Sequence, residues 1–417
     1  MKNSADRPIP GAWLTIALLW FVACFNFMAR TMIATMHGPL VAAIPMTEAQ
    51  FGLLSSIFLW IYGLLGPVAG FLSDRYSRSR VIAICLLTWS AITWLTAYAR
   101  TFEQLLVMRA LMAVSEASYL PAALALISEY HRTSTRSLAT GLHMTGVMCG
   151  YALAGSGGWL SERHGWSYAF RLVGIAGVIY GLLLVFVLRD APRDRESSGA
   201  RAAEEVRFGQ ALVSLFSRGS FILVLPFCAL VGAVGWAVVG WMPTYLKEHF
   251  HLGAGAAGFD ATGYMNMAGL IGLLVGGVWA DRWNRTHIRG GIYVTIIGLL
   301  LAAPGLLLTS HTNFLAFALL GLVLFGFGNE FSDSTMMPIL CQITDRRYRA
   351  TAYGTLNLVS CGTAGFSVFA AGVLRDRRVD TGEILAFAAA ALVVCAVLLL
   401  LVKPQQPVSA AASSPRS

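Results

Sequence analysis

Two arginines and a glutamate lie inside long apolar stretches of this sequence, where a charged side chain needs a chemical reason to be present. Arg30 lies in the apolar stretch 11–37, and Arg109 and Glu116 lie in the stretch 102–127. Ionisable groups in such surroundings are costly and mark binding or ion-conducting sites. A guanidinium stays charged and offers a planar pair of donors to a carboxylate. Two of them near one cavity therefore predict an anionic ligand.

Helical spacing places further polar groups beside these charges. Asn26 lies one turn before Arg30, where it can orient hydroxyl groups of a ligand, and Glu116 lies two turns after Arg109 on the same face. Because the ionisation of a buried carboxylate depends on nearby charge, Glu116 can carry a proton and respond to an anion held by Arg109. The alternatives are that Arg30 extends out of the apolar layer and that Arg109 pairs with an acid or with backbone carbonyls.

A second set of candidate proton carriers lies in the later part of the chain. Glu330 and Asp333 are one helical turn apart in the apolar stretch 313–340, and a polar cluster that joins helices is the alternative. His143, in the stretch 137–160, is a further candidate because an unperturbed histidine titrates near neutrality, although a histidine in helix packing is the more common case. Side chains with the chemistry of a cavity wall are Tyr62, Tyr119, Trp236 and Asn357.

The elements that position these residues are membrane spans. Hydrophobic residues make up 57% of the 417 residues and charged residues 12%, against roughly 25% charged in soluble chains. The apolar stretches are each long enough to cross a bilayer as a helix. They are 11–37, 47–73, 81–99, 102–127, 137–160, 168–189, 219–246, 256–280, 289–309, 313–340, 350–373 and 379–402. The sequence predicts an all-α integral membrane protein with about twelve transmembrane helices.

The connecting segments define the organisation and the orientation. Residues 1–189 and 219–403 form the two halves, joined by a cytoplasmic linker, 190–218, with a short amphipathic helix around Phe208–Phe216. Residues 404–417 are Ala/Ser/Pro-rich and read as a disordered tail. Most of the 30 Lys and Arg fall in alternate loops, which places both termini in the cytoplasm and the chain in a bacterial-type inner membrane. The basic charge is therefore a membrane signal and does not indicate nucleic acid.

Two short motifs occur once in each half. The sequence Gly70–Arg78 ends the second span and Gly277–Arg285 ends the eighth, both with the pattern G-x-x-x-D-R-x-x-R. Likewise R-x-x-A-x-G opens the fifth span at Arg136 and the eleventh at Arg349. Parallel repeats of this kind are typical of transporters in which two halves rock about a central site.

With these motifs the chain resembles the major facilitator superfamily. The resemblance implies two six-helix bundles related by a pseudo-two-fold axis, and a motif that latches the cytoplasmic side in one conformation. The residues that it assigns to gating are Gly70, Asp74, Arg75, Arg78, Arg136, Gly277, Asp281, Arg282 and Arg349. One chain that contains both halves is expected to act as a monomer.

Within the superfamily the chain is similar to the anion:cation symporters. The similarity lies in Phe25–Arg30, in Arg109–Ala122 and in Trp241–Leu246. The family's first-span pattern is N-Y-x-D-R, and Ala29 stands here in place of its acid. The resemblance implies import of a sugar acid or another small organic anion by proton symport, through alternating access.

Other functions agree less well with the sequence. One is a Spinster-like carrier of lysolipids or sphingolipids, which shares the region around Arg109 and Glu116, and others are a drug or metabolite exporter and a non-transporting sensor. The sequence contains no phosphate-binding lysine loop, catalytic triad or metal-ligand motif. It predicts no enzyme activity, cofactor or metal, and an ion gradient, with protons first, as the energy source.

Overall fold

The computed structural model describes residues 10–131, 133–191, 208–344 and 348–403. The first half contains α1 (Ala12–Thr35), α2 (His37–Ala43), α3 (Glu48–Arg75), α4 (Arg78–Thr96), α5 (Phe102–Glu116), α6 (Tyr119–Tyr130), α7 (Thr133–Leu153), α8 (Gly155–His164) and α9 (Trp166–Val187). The amphipathic helix α10 (Phe208–Phe216) follows. The second half contains α11 (Gly219–His249), α12 (Ala254–Phe259), a π-helical turn (Asp260–Tyr264), α13 (Met265–Asn284), α14 (Gly290–His311), α15 (Leu315–Ile343), α16 (Arg349–Asp376) and α17 (Thr381–Leu401).

The prediction of an all-α membrane protein is confirmed. In the described part of the chain, 11 helical segments are long and apolar enough to cross a membrane. The predicted span that does not qualify is 137–160, which the structure forms from two helices, α7 and α8, that meet at Ala154. The sequence predicted this span as one uninterrupted segment. Most of the predicted linker and the whole predicted tail lie outside the described residues.

The fourth predicted span also contains a break, which lies directly after Glu116. Helix α5 ends at Glu116 and α6 begins at Tyr119. Pro121 has no N–H to donate to the carbonyl of Ala117, four residues earlier, and its ring clashes with that carbonyl. The proline therefore separates the two helices and leaves Glu116 at a helix end inside the protein.

The internal repeat is visible in atomic contacts. In the first half the Nη2 atom of Arg136 donates to the carbonyl of Ser128 at 3.0 Å. In the second half the Nη2 atom of Arg349 donates to the carbonyl of Cys341 at 3.1 Å. Both arginines thus bond to the carbonyl eight residues earlier and close the turn between two spans in the same way. This common contact explains why the R-x-x-A-x-G motif occurs in both halves.

One hydrophobic core lies in the second half, and the other fills the first half and continues into α16, because the halves meet along α3 and α16. Ser56 donates to the carbonyl of Gly365 at 2.6 Å, and the indole of Trp60 donates to the carbonyl of Gly362 at 3.0 Å. Helix α8 packs against α12 in a second contact between the halves.

Candidate functional site

A buried ion pair joins α1 to α5 within the first half. Arg30 donates from Nε and Nη2 to the same oxygen, Oε2 of Glu116, at 3.0 and 2.8 Å. The side chains are 6% and 0% exposed, respectively. Arg30 also donates from Nη2 to Oδ1 of Asn26 at 3.4 Å, one turn earlier on α1, as the helical spacing predicts. Arg30 therefore stays inside the protein and does not extend to the membrane edge.

Aromatic rings cover the guanidinium of Arg30. Its Cζ atom lies 4.5 Å from the centre of the Phe27 ring, 4.8 Å from that of Phe58 and 4.6 Å from that of Tyr62. These rings come from α1 and α3, so three helices of the first half, α1, α3 and α5, build the site. Ring faces attract a cation most strongly where water is excluded. The three rings can therefore keep the guanidinium of Arg30 in place when the protonation state of Glu116 changes.

Two polar atoms beside the ion pair have no hydrogen-bond partner. They are Oε1 of Glu116 and Nδ2 of Asn26, and both are buried. Native proteins satisfy nearly all buried polar atoms, so unsatisfied ones call for an explanation. A proton on Glu116 or a polar ligand group beside Asn26 would use this free bonding capacity.

Arg109 also packs on the Phe58 ring but has a different hydrogen-bond partner. Its Nε atom donates to the carbonyl of Leu54 at 3.1 Å, and its Cζ atom lies 4.9 Å from the Phe58 ring. The side chain is buried, as the residue is 3% exposed. The direct partner of Glu116 is therefore Arg30, whereas the sequence analysis connected Glu116 to Arg109. The spacing within α5 could not reveal that α1 supplies the nearer arginine.

A cavity of about 330 Å³ lies between the halves. Most of its wall comes from α11, α13, α15 and α16, and α7 contributes Met148 and Tyr151. The predicted residues Trp236, Asn357, Glu330 and Asp333 are all part of this wall. The wall extends to Tyr353, near the beginning of α16, so the cavity lies towards that end of the molecule.

The remaining predicted residues lie away from this wall. The lining residues do not include Arg30, Asn26, Glu116, Arg109 or Tyr62. Tyr119 is 1% exposed and donates its hydroxyl to the carbonyl of Leu19 at 3.2 Å. His143 is 0% exposed, and its ring centre lies 6.1 Å from that of Tyr119. In this conformation Tyr119 and His143 pack helices together and do not contact the cavity.

The acidic side chains of the cavity wall have no basic partner there. The lining residues within the described ranges include no Lys, Arg or His. Glu330 Oε2 and the hydroxyl of Ser332 are buried without a hydrogen-bond partner. The sequence analysis did not identify Tyr151, Ser332 or Tyr353, because an isolated tyrosine or serine in an apolar span carries no distinguishing pattern.

The repeated loop motif lies at the end of the molecule where α3 ends and α4 begins. Arg78 forms an ion pair with Glu129, at the end of α6, and Asp190 accepts a hydrogen bond from the backbone N–H of Ser79 at 2.8 Å. In the second half Gly277 faces α15. Arg75, Asp281 and Arg282 are exposed. Positions 70 and 74 lie outside the residues whose side chains are described, so the latch role predicted for Asp74 stays a prediction.

The opposite end of the molecule is held together by a charge cluster that the sequence analysis missed. Arg375 binds Glu48 at 3.0 Å and Glu248 at 2.9 Å. Glu48 also contacts His37 at 3.0 Å, and Asp376 accepts a hydrogen bond from the backbone N–H of Glu48 at 2.8 Å. We call these five residues the closing cluster. The only available signal was that each lies near the end of a span, which did not show that they meet.

Comparisons with known proteins agree with this architecture. A family model described as "Major Facilitator Superfamily" matches residues 19–368. Protein spinster homolog 1 of Xenopus laevis is 27% identical over 71% of this chain and 59% of its own length. The D-galactonate transporter of Escherichia coli is 23% identical over 88% of this chain and 89% of its own. The crystal structure of a bacterial homologue of the lysosomal transporter Spinster, inward-facing and unoccupied, superposes with a TM-score of 0.75 at 21% identity, and covers 94% of this chain and 95% of its own.

Proposed function

Because the chain belongs to the major facilitator superfamily, we propose that it is a secondary active transporter that imports a small organic anion together with a proton. The family is a transporter family, so a small-molecule substrate and a membrane location follow directly. The observation that carries the finer proposal is the buried pair of Arg30 and Glu116. Sugar acids are the first candidates, since the D-galactonate transporter is among the relatives.

The proposed coupling is an exchange of anions on Arg30. When Glu116 is ionised, it occupies the two donors of Arg30. When Glu116 takes up a proton, those donors become free for a substrate carboxylate, and the free Oε1 atom of Glu116 offers a position for the proton. In both states Arg30 has a negative partner, which is Glu116 when that residue is ionised and the substrate carboxylate when it is protonated. An Arg30 without either partner would cost about 3–5 kcal/mol in a buried site. Substrate and proton consequently bind and leave together.

Alternating access supplies the transport step in this proposal. The closing cluster joins the halves at one end, and the cavity extends towards the other. In the predicted orientation, the end towards which the cavity extends faces the cytoplasm, and substrate leaves there. Reopening at the closing cluster requires Arg375 to release Glu48 of the other half. The proton gradient would favour that cycle in the direction of uptake.

The test is uptake of labelled D-galactonate and other sugar acids into proteoliposomes, with and without an inward proton gradient. We expect gradient-driven accumulation by the wild type, its loss in Arg30→Ala, and loss of the gradient dependence in Glu116→Gln. Arg378→Ala, which removes an exposed arginine outside the proposed binding site, is the matched control and should transport normally. If Glu116→Gln still accumulated substrate in response to the gradient, the proton would have to be carried by another acid. Glu330 and Asp333 would then be the next candidates to test.

A carrier of the Spinster type is the second candidate. The cavity wall described above combines apolar side chains with acids and lacks a basic residue within the described ranges, and spinster homologues are similar to much of the chain. If a folded wild type took up no organic acid but moved lysophospholipid between vesicle leaflets, this second function would replace the first.

A further inference from the structure

Glu330 and Asp333 form an acidic wall on one turn of α15 that the exchange on Arg30 does not use. Both contribute to the cavity lining, and the residues between and beside them include Ser332 and Asn329. The hydroxyl of Ser332, which is 1% exposed, and Oδ1 of Asn329 have no hydrogen-bond partner. This part of the cavity therefore contains polar atoms whose hydrogen-bonding capacity is free for a ligand.

Such a wall is electrostatically incomplete. Two carboxylates one turn apart on the wall of one cavity repel each other when both are ionised. No Lys, Arg or His among the described lining residues offsets them. A positive charge that enters the cavity would relieve this repulsion and use the free acceptors. The missing component therefore has the chemistry of a cation.

The rest of the wall favours an organic ammonium over a metal ion. Trp236, Tyr151 and Tyr353 line the same cavity, and aromatic faces together with acids are typical of ammonium recognition. The described residues contain no group of three or more His, Cys, Asp or Glu that could hold a metal ion. The volume of about 330 Å³ is also in the range of small-molecule sites, ~300–1,000 Å³.

Tyr151 connects this wall to the arginine site. Tyr151 lines the cavity together with Glu330 and Asp333. Its ring centre lies 5.0 Å from that of Phe27, which itself packs on the guanidinium of Arg30. A molecule in the cavity beside Tyr151 would therefore have a positive site on one side and a negative site on the other.

We propose that Glu330 and Asp333 bind an ammonium group of the substrate, so that the substrate is a zwitterion with its anionic group directed to Arg30. This inference rests on the proposed transport function and narrows its substrate class from organic anions to amino-bearing organic acids. The acidic wall determines which anion is accepted, and Arg30 with Glu116 performs the exchange with the proton.

Three probes of nearly equal shape differ in which charged groups they carry. They are D-gluconate, which is an anion, D-glucosaminate, which adds an ammonium group, and glucamine, which has the ammonium group without the acid. We would measure their binding by titration calorimetry to the purified full chain in nanodiscs. The variants are Glu330→Gln with Asp333→Asn, together and singly, and Glu383→Gln is a control that removes an exposed acid from α17. Thermal unfolding checks that each variant is folded.

We expect the wild type to bind glucosaminate at least about tenfold more tightly than gluconate, and the double variant to lose that preference while it keeps its affinity for gluconate. Equal affinity of the wild type for gluconate and glucosaminate would overturn the inference and leave the anion transporter intact. Glucamine binding that depends on the two acids, without any binding or uptake of an acid, would retain the ammonium site and overturn the proposed function. Sodium binding abolished by the double variant would identify an inorganic cation site and overturn the inference, as would failure of all three probes to bind.

Discussion

At the scale of single residues, the molecule is defined by charges that are buried and paired rather than by exposed ones. Arg30 and Glu116 satisfy each other, Asn26 supports the arginine, and aromatic rings exclude water. The sequence predicted the importance of these three polar residues from their apolar surroundings. It did not predict the pairing, because the contact joins positions 86 residues apart and Arg109 is nearer to Glu116 along the chain. Arg109 instead bonds to the carbonyl of Leu54, which was the alternative left open for it.

The pairing makes a quantitative prediction about stability. Arg30→Gln leaves Glu116 buried without a cation, and we expect a loss of about 3–5 kcal/mol in the free energy of unfolding. The double variant Arg30→Gln with Glu116→Gln should lose less than the sum of the two single variants, by about 1–3 kcal/mol. Chemical unfolding in detergent micelles measures all four proteins. Additive losses would mean that the two side chains do not interact in the folded protein, whereas Glu383→Gln should change stability by less than about 0.5 kcal/mol.

At the scale of elements, the sequence placed the spans well and missed the interruptions within them. Apolar length predicts where a helix crosses the membrane, and even the short helix Phe208–Phe216 has the predicted bounds. The breaks at Ala117 and Ala154 and the π-helical turn Asp260–Tyr264 depend on local backbone bonding and on neighbouring helices. Prolines are an unreliable guide, since Pro226 and Pro243 lie inside the continuous helix α11, whereas Pro121 accompanies a break.

Close helix packing yields a prediction at this scale. Helices α14 and α15 approach each other at Gly305 and Gly321, and a Cβ atom at Gly305 would lie 2.7 Å from the carbonyl oxygen of Gly321. Gly305→Val must therefore separate the helices, and we expect a loss of about 1–3 kcal/mol or more, as for other overpacked cores. Gly141→Val is the matched control, because nothing lies within 4 Å of a Cβ atom there. A lower unfolding temperature for Gly141→Val than for Gly305→Val would contradict this account of the packing.

At the scale of the whole molecule, the two halves meet firmly at one end and enclose a cavity towards the other. The repeated motifs predicted two equivalent halves, and the matching bonds of Arg136 and Arg349 agree with that repeat. The sequence could not predict the closing cluster, because Glu48 and Arg375 are 327 residues apart and belong to different halves. Charges near span ends normally serve orientation, and only the assembled bundle shows that these ones connect the halves.

This cluster predicts how the equilibrium between conformations can be shifted. Arg375 contacts Glu48, Glu248 and the ring of Trp241, so Arg375→Ala removes the cation from two acids and leaves like charges facing each other across the interface. We expect the closed end to open in a larger fraction of molecules. Spin labels at Ala42→Cys and Arg377→Cys, both exposed at this end and in different halves, report the change as a longer distance in pulsed resonance spectra. Arg378→Ala removes a neighbouring exposed arginine and should leave the distance distribution as in the wild type. If Arg375→Ala also left it unchanged, the contact of α3 with α16 would be sufficient to hold this end closed, and the charges would serve another purpose.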